Sequence, residues 1–249
     1  MVIRQPFNYS PRNQNRNLHI YLPNDYDHSE ERYPVMYFFD GHNLFRDSDA
    51  TYGKCWGLEG FLDGWQKKMI VVGMECGHEG RERLDEYCPY DVRGGNMGQI
   101  HGMGKETMDW IVREVKPWVD GSFRTYPFRE ATGIAGSSMG GLMAIYGAAK
   151  YNAYFSKAAC LSSAIRLCRK QLLSEIREID PDTRDYLSWG TEESKMVGKM
   201  NATALANREI AEGFWKKRAM ATLYCQEGGR HCEADWEKQV PGFMEYLWF

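Results

Sequence analysis

The chain of 249 residues is marked first by what it lacks. No two cysteines stand at C-x-x-C spacing, although seven are present: Cys55, Cys76, Cys88, Cys160, Cys168, Cys225 and Cys232. An odd, scattered set reads as free buried thiols in a reducing compartment, not as a disulfide framework or a zinc site. Basic charge is not in excess. With 31 Lys+Arg against 34 Asp+Glu the net charge is -3, which argues against a nucleic-acid partner and against an anionic membrane surface. The N-terminal stretch MVIRQPFNYSPRNQNRN has no apolar segment of the signal-peptide kind, so a cytoplasmic location is expected. H-E-x-x-H, P-loop and Rossmann glycine patterns are missing as well, and no metal or organic cofactor is expected. Internal repeats and low-complexity linkers are also lacking.

What is present points to a large core. Hydrophobic residues make up 43% and aromatics 14% of the chain, which excludes disorder and a collagen-like fibre. The length suits one α/β domain, with two small domains also open on length alone. One stretch, 131–149 (ATGIAGSSMGGLMAIYGAA), carries no charge over 19 residues. Its glycine cluster breaks it at 137–141, so a strand, a sharp turn and a helix explain it better than a membrane span.

Apolar runs alternate with helical patterns. Strands are expected at 17–22, 34–39, 69–74, 132–135, 155–161, 186–189 and 219–224, from alternation or short apolar runs closed by turn residues. Helices are expected at 104–119, from about 139, at 165–178, at 203–213 and from about 234, where apolar residues recur on one face. Strands separated by helical crossovers imply a mostly parallel, doubly wound sheet flanked by helices. Residues 75–104 form a long Gly-rich polar segment, and 180–202 flank a strand. Both are candidate substrate-facing loops.

Gly136-Ser137-Ser138-Met139-Gly140 fits G-x-S-x-G with Ser138 at the centre, placed between a predicted strand and a predicted helix. The spacing serves a nucleophile because small residues on both sides let the backbone fold tightly beneath the serine. A serine hydroxyl needs an imidazole to take its proton. In the chain order Ser, acid, His, His231 is the only histidine after Ser138, and it lies in a loop between the last strand and the last helix. The acid should follow the strand at 186–189, in Trp189-Gly190-Thr191-Glu192-Glu193. Glu193 is the choice, with Glu192 and Asp185 as competitors. An oxyanion hole should combine the N–H of Met139 with that of His42, from the turn Asp40-Gly41-His42-Asn43 after an early strand. The superficially similar His101-Gly102-Met103-Gly104 follows no strand directly and is set aside.

In order, strand–Asp-Gly-His-Asn-Leu-Phe, Gly-Ser-Ser-Met-Gly-Gly, Trp-Gly-Thr-Glu-Glu and Gly-Gly-Arg-His-x4-Trp make the chain resemble the putative-esterase family of α/β-hydrolases. That group includes enterochelin esterases, antigen 85 proteins, esterase D-like enzymes and the feruloyl and acetylxylan esterases of carbohydrate esterase family 1. The segment Arg83-Leu84-Asp85-Glu86-Tyr87-Cys88-Pro89 adds a further likeness. The resemblance implies an α/β-hydrolase fold in which residues 1–249 form a single domain, since one active site draws on nearly the whole chain. It further implies a serine ester hydrolase with Ser138 as nucleophile, His231 as base and Glu193 as acid, with no cofactor. The substrate expected is a small-molecule or oligosaccharide ester, an acetyl or feruloyl ester of carbohydrate first and a siderophore ester next. The same motifs also admit an acyltransferase with this triad, or a non-catalytic binding protein on a hydrolase fold. Trp56 and Trp236 are candidates for an acyl or sugar pocket. The aromatic C-terminus at 246–249 is a candidate contact surface for an oligomer.

Overall fold

The computed structural model describes residues 1–93 and 98–249. Residues 94–97, inside the candidate loop 75–104, lie outside the described residues. One eight-stranded sheet runs through the molecule in the order β1(Val2–Tyr9), β2(Gln14–Tyr21), β4(Ile70–Met74), β3(Val35–Phe39), β7(Thr132–Ser137), β8(Lys157–Leu161), β9(Arg184–Gly190) and β10(Met220–Gln226). From β4 to β10 all pairs are parallel, whereas β1 and β2 pair antiparallel to each other and β2 pairs antiparallel to β4. A two-stranded ribbon, β5(Val92–Arg93) with β6(Gln99–Ile100), lies apart from this sheet.

β3 (VMYFF) and β4 (IVVGM) are apolar throughout because both faces are covered. Tyr37 and Phe39 of β3 join a core with Val72, Ile134, Ala158 and Leu187, while Met36 and Phe38 join a second core with Val71, Ala135 and Ala159. That period-2 split is what a strand in the middle layer of a three-layer fold must show. On the first face pack α3(Gly104–Trp110), α5(Met139–Lys150), α6(Arg169–Glu175) and α7(Val197–Lys216). On the second lie α1(Leu58–Gly64), α8(Glu233–Glu237) and α9(Val240–Trp248). Each fully buried Leu, Ile, Val or Phe in these layers contributes about 1.5–3 kcal/mol by leaving water.

Several elements differ from their sequence-based limits. β9 begins at Arg184, so Asp185 lies within the strand and is buried instead of preceding it. α7 begins at Val197, which turns the end of the 180–202 segment into the first turn of a helix. The 165–178 pattern resolves into a 3-10 turn, Ile165–Leu167, followed by α6. The expected helix at 104–119 extends to Ser122 through α4(Lys116–Ser122), with a π-helical segment Ile111–Val115 before it. Pro117 supplies a reason for the widened turn, since it has no N–H to donate and its ring crowds the carbonyl four residues back. The 75–104 segment carries a short helix, α2(Glu82–Glu86). β1 and α1 were not anticipated.

The C-terminal residues do not form an exposed aromatic surface. Leu247 and Trp248 are buried in the second core, and among the four Phe249 alone is exposed. The uncharged stretch 131–149 is β7, a turn at Ser138 and most of α5, and among the described residues no helix is long and apolar enough to cross a membrane.

Candidate active site

The sheet ends in a row of strained turns at the C-terminal edges of β3, β7 and β8. Asp40, Ser138 and Ser162 all have positive φ (58°, 58° and 49°), a conformation that costs a residue with a β-carbon about 1–3 kcal/mol. Three such residues on one edge mark the place where the fold stores strain. The Ser138 turn shows why the flanking glycines are needed. A β-carbon on Gly136 would stand 2.6 Å from the carbonyl carbon of Gly140, and one on Gly140 would stand 2.9 Å from Phe39 Cβ. The Ser138 N–H donates to the Leu161 carbonyl at 2.9 Å, and its own carbonyl accepts from the Leu142 and Ala164 N–H groups at 3.1 and 2.9 Å. The serine is thereby fixed above the N-terminus of α5, whose dipole favours negative charge there.

His231 and Glu193 meet although 38 residues separate them. His231 Nδ1 lies 3.4 Å from Glu193 Oε2, a long contact of the sort that shortens when a site is filled. Gly190 packs directly on Gly229, with no room for a β-carbon between them, and the Glu192 N–H donates to the Gly229 carbonyl at 2.8 Å. These contacts clip the loop after β10 to the loop after β9. Glu193 Oε1 accepts from Ser162 Oγ at 2.6 Å and from the Gly190 N–H at 2.7 Å. Burial pushes this carboxyl up, but the bonds from His231, Ser162 and Gly190 outweigh it and hold Glu193 below the ordinary range. Ser162 Oγ in turn accepts from Trp236 Nε1 at 2.8 Å, and the Trp236 ring stands edge-on to His231 at 5.1 Å.

The turn after β3 forms the other wall. Gly41 packs so tightly that a β-carbon would come within 2.7 Å of Met74 N, which only glycine avoids. Asp40 is buried and accepts two bonds from Arg83, both at 2.7 Å. Burial raises the Asp40 carboxyl, but the Arg83 guanidinium more than compensates and holds it low. Its N–H donates to Tyr87 Oη at 3.2 Å, and Glu86 accepts from the Gly77 N–H at 2.8 Å and from Arg16 at 3.0 Å. The Arg83–Glu86–Tyr87 motif is thus a brace for the turns after β3 and β4. The His42 N–H lies in the 3-10 turn Gly41–Asn43 and the Met139 N–H in the first turn of α5.

Ser138 and His231 share the walls of two adjoining cavities of about 530 and 730 Å³. The smaller adds His42, Cys76, His78 and Trp236; the larger adds Met139, Glu193, Arg93, Arg166 and Lys199. Ser138, His231, Glu193, His42 and Met139 therefore come together. The competing acids do not join them: Glu192 is exposed, and Asp185 sits in the sheet, where Cys160 Sγ donates to it at 3.1 Å. The His101 N–H is taken by the Asp85 carboxylate at 2.9 Å. Trp236 reaches the cleft, whereas Trp56 is buried in the second core and does not line it. Ser162 escaped the sequence reading. Its signal was a serine directly after a strand, one residue past the end of β8 as Ser138 is one residue past the end of β7.

The chain is 23% identical over 241 residues to the uncharacterized protein YbbA of Bacillus subtilis, covering 94% of this chain and 93% of that one. It is 30% identical over 157 residues to the esterase MT1326 of Mycobacterium tuberculosis, a match that spans 62% of this chain and 30% of that protein. In fold it is similar to a ferulic acid esterase (TM-score 0.74, 16% identity, 99% of this chain and 97% of that one). The enterochelin esterase of Shigella flexneri is similar too (TM-score 0.75, 16% identity, 99% of this chain and 58% of that one). The model of the family described as "Putative esterase" matches residues 10–246, nearly the full length, and the chain belongs to the putative esterase family of α/β-hydrolases.

Proposed function

We propose that this esterase is a serine carboxylester hydrolase that works through an acyl-enzyme. Ser138 attacks the ester carbonyl and His231 takes its proton; the Met139 and His42 N–H groups hold the oxyanion. His231 then protonates the leaving alcohol, and water, activated by the same imidazole, releases the acid. Glu193 keeps the imidazole in the tautomer that presents a bare Nε2. The observation that carries this reading is the shared cleft: a serine on a strained turn faces the same cavity as a histidine already in contact with a half-buried, anionic glutamate.

The proposed substrate is an acetyl or feruloyl ester of carbohydrate. A second reading, a siderophore ester, is favoured by charge. Arg93, Arg166 and Lys199 line the larger cavity, all are exposed, and among the described residues none of them forms an ion pair. Glu193 is the one acidic residue on that wall, and it is committed to His231. Each exposed cation offers an anionic ester about 0.2–1 kcal/mol, screened by salt. A hydrolysis panel of methyl ferulate, acetylated xylan and a catechol siderophore, run at low and high salt, separates the two. Preference for the first pair with salt-independent KM supports the carbohydrate reading; a siderophore preference whose KM rises with salt supports the second. Transfer of the acyl group to an added alcohol in preference to water would make the protein an acyltransferase.

A further inference from the structure

The cleft holds a second group of donor side chains that the esterase chemistry does not use. His42, Cys76 and His78 each offer one nitrogen or sulfur atom, and these atoms lie within 4.8 Å of one another. The strand order brings them together. β3 and β4 are neighbours with Phe39 opposite Met74, so the turn carrying His42 and the segment carrying Cys76 and His78 leave the sheet side by side. All three line the same cavity as Ser138.

His42 supplies the independent pointer. It is only 7% exposed, and its Nε2 lies 2.9 Å from Thr51 Oγ1. Its Nδ1 is buried and has no hydrogen-bond partner among the described residues. Leaving such an atom unpaired costs about 1–3 kcal/mol, and a ligand would remove that cost. With the proton on Nε2 and directed at Thr51, Nδ1 presents a bare lone pair, the arrangement in which the far nitrogen of a metal-binding histidine is usually held. The ring of His78 stands edge-on to that of His42 at 4.7 Å and is exposed, so it has room to turn.

We propose that His42, Cys76 and His78 bind a zinc-class divalent cation, and that its binding in the cleft inhibits the esterase. Two imidazoles and one thiol suit a borderline-soft ion and exclude magnesium or calcium, which take oxygen. At zinc bond lengths the three donors would be about 3.4–3.7 Å apart, so the present cluster closes by roughly an ångström, mostly through His78. The Cys76 thiol releases its proton to solvent as the sulfur–metal bond forms. Three protein ligands leave a fourth position open, and it faces a cavity shared with Ser138. Asp40 and Arg83 beside the cluster cancel each other in charge, and Glu233, also in this cavity wall, adds an acidic group. The cysteines were expected to be plain buried thiols; Cys76 is buried, but two histidines flank it in space.

The inhibitory part rests on the esterase reading above, whereas the site itself does not, and the experiment keeps them apart. The full chain, stripped with a chelator, is titrated with zinc by equilibrium dialysis and with cobalt by absorption. One saturable zinc per chain is expected, together with a thiolate-to-cobalt charge-transfer band. Cys76→Ser and His78→Gln should each weaken zinc by more than about tenfold, Cys76→Ser should remove the band, and Ser138→Ala and His231→Gln should bind as the wild type does. Unsaturable binding overturns the site, as does equal binding by the Cys76 and His78 variants or loss of binding in His231→Gln. In the wild type, the zinc midpoint for inhibition should equal the dissociation constant, and in His78→Gln it should shift by the same factor; binding without inhibition overturns the inhibitory role. A chain that binds zinc but hydrolyses no ester leaves the site standing and refutes the esterase mechanism instead.

Discussion

Replacing Glu193 by glutamine leaves its position intact and reverses its polarity toward His231. Glu193 Oε1 accepts from Ser162 and Gly190, and the amide oxygen of a glutamine can keep both bonds. The amide nitrogen then faces His231 Nδ1, where the native Oε2 accepts. Two donors cannot share that contact, so the imidazole must carry its proton on Nε2 and can no longer take one from Ser138. A wrong tautomer in a triad of this design costs about 10³–10⁴ in kcat. That corresponds to roughly 4–5.5 kcal/mol of lost transition-state stabilisation. Glu192→Gln changes an exposed side chain whose residue contributes only its N–H, to Gly229, and should alter kcat by less than about threefold. Steady-state hydrolysis of p-nitrophenyl acetate, with far-ultraviolet dichroism to verify folding, reads both variants. A Glu193→Gln enzyme within tenfold of wild type, or a Glu192→Gln enzyme as impaired as it, would refute the assignment.

Two further predictions concern the supports of the cleft and the sheet. Arg83→Met strands the buried Asp40 carboxylate without its bidentate partner, a loss of about 3–5 kcal/mol, and should lower both the urea midpoint and kcat through the displaced His42 turn; wild-type stability would contradict that role. Burial pushes the Asp185 carboxyl up to about 7, with Cys160 as its one hydrogen-bond donor and Oδ2 unpartnered among the described residues. A folded-state value raised above the unfolded one, near 3.9, means the folded chain holds a proton that the unfolded chain has shed. Stability is then lost as pH rises from about 4 to 7, by on the order of 2–4 kcal/mol. Asp185→Asn should remove that loss, so its urea stability should exceed wild type at pH 8 and the difference should shrink toward pH 4; a pH-independent difference would show that Asp185 is not the titrating group.

The sequence exposed the parts of this protein that obey a local rule. Strands β3 and β4 are continuous apolar runs because both faces are covered, and the Ser138 turn is spelled out by the two glycines that face each other across it. β1 escaped because it is an edge strand, VIRQPFNY, whose polar residues and Pro6 suit an unpaired rim and mask its alternation. The His231–Glu193 pair could be ordered along the chain, but the choice among Glu192, Glu193 and Asp185 depends on which way each side chain leaves the strand and the loop after it. Asp185 lies in β9 and points into the sheet toward Cys160, a fact fixed by strand register and not by spacing. The supporting contacts were invisible for a related reason. Asp40–Arg83 spans 43 residues and Ser162–Glu193 spans 31, and contacts of that length leave no period in the sequence.

The central claim is that Ser138 carries the acyl group. A serine-reactive fluorophosphonate, followed by intact-mass and peptide mass spectrometry, tests it most directly. One adduct per chain is expected on the peptide containing Ser138, and neither adduct nor ester turnover in a Ser138→Ala chain that unfolds at the wild-type temperature. An adduct on another residue, or wild-type turnover by Ser138→Ala, would contradict it.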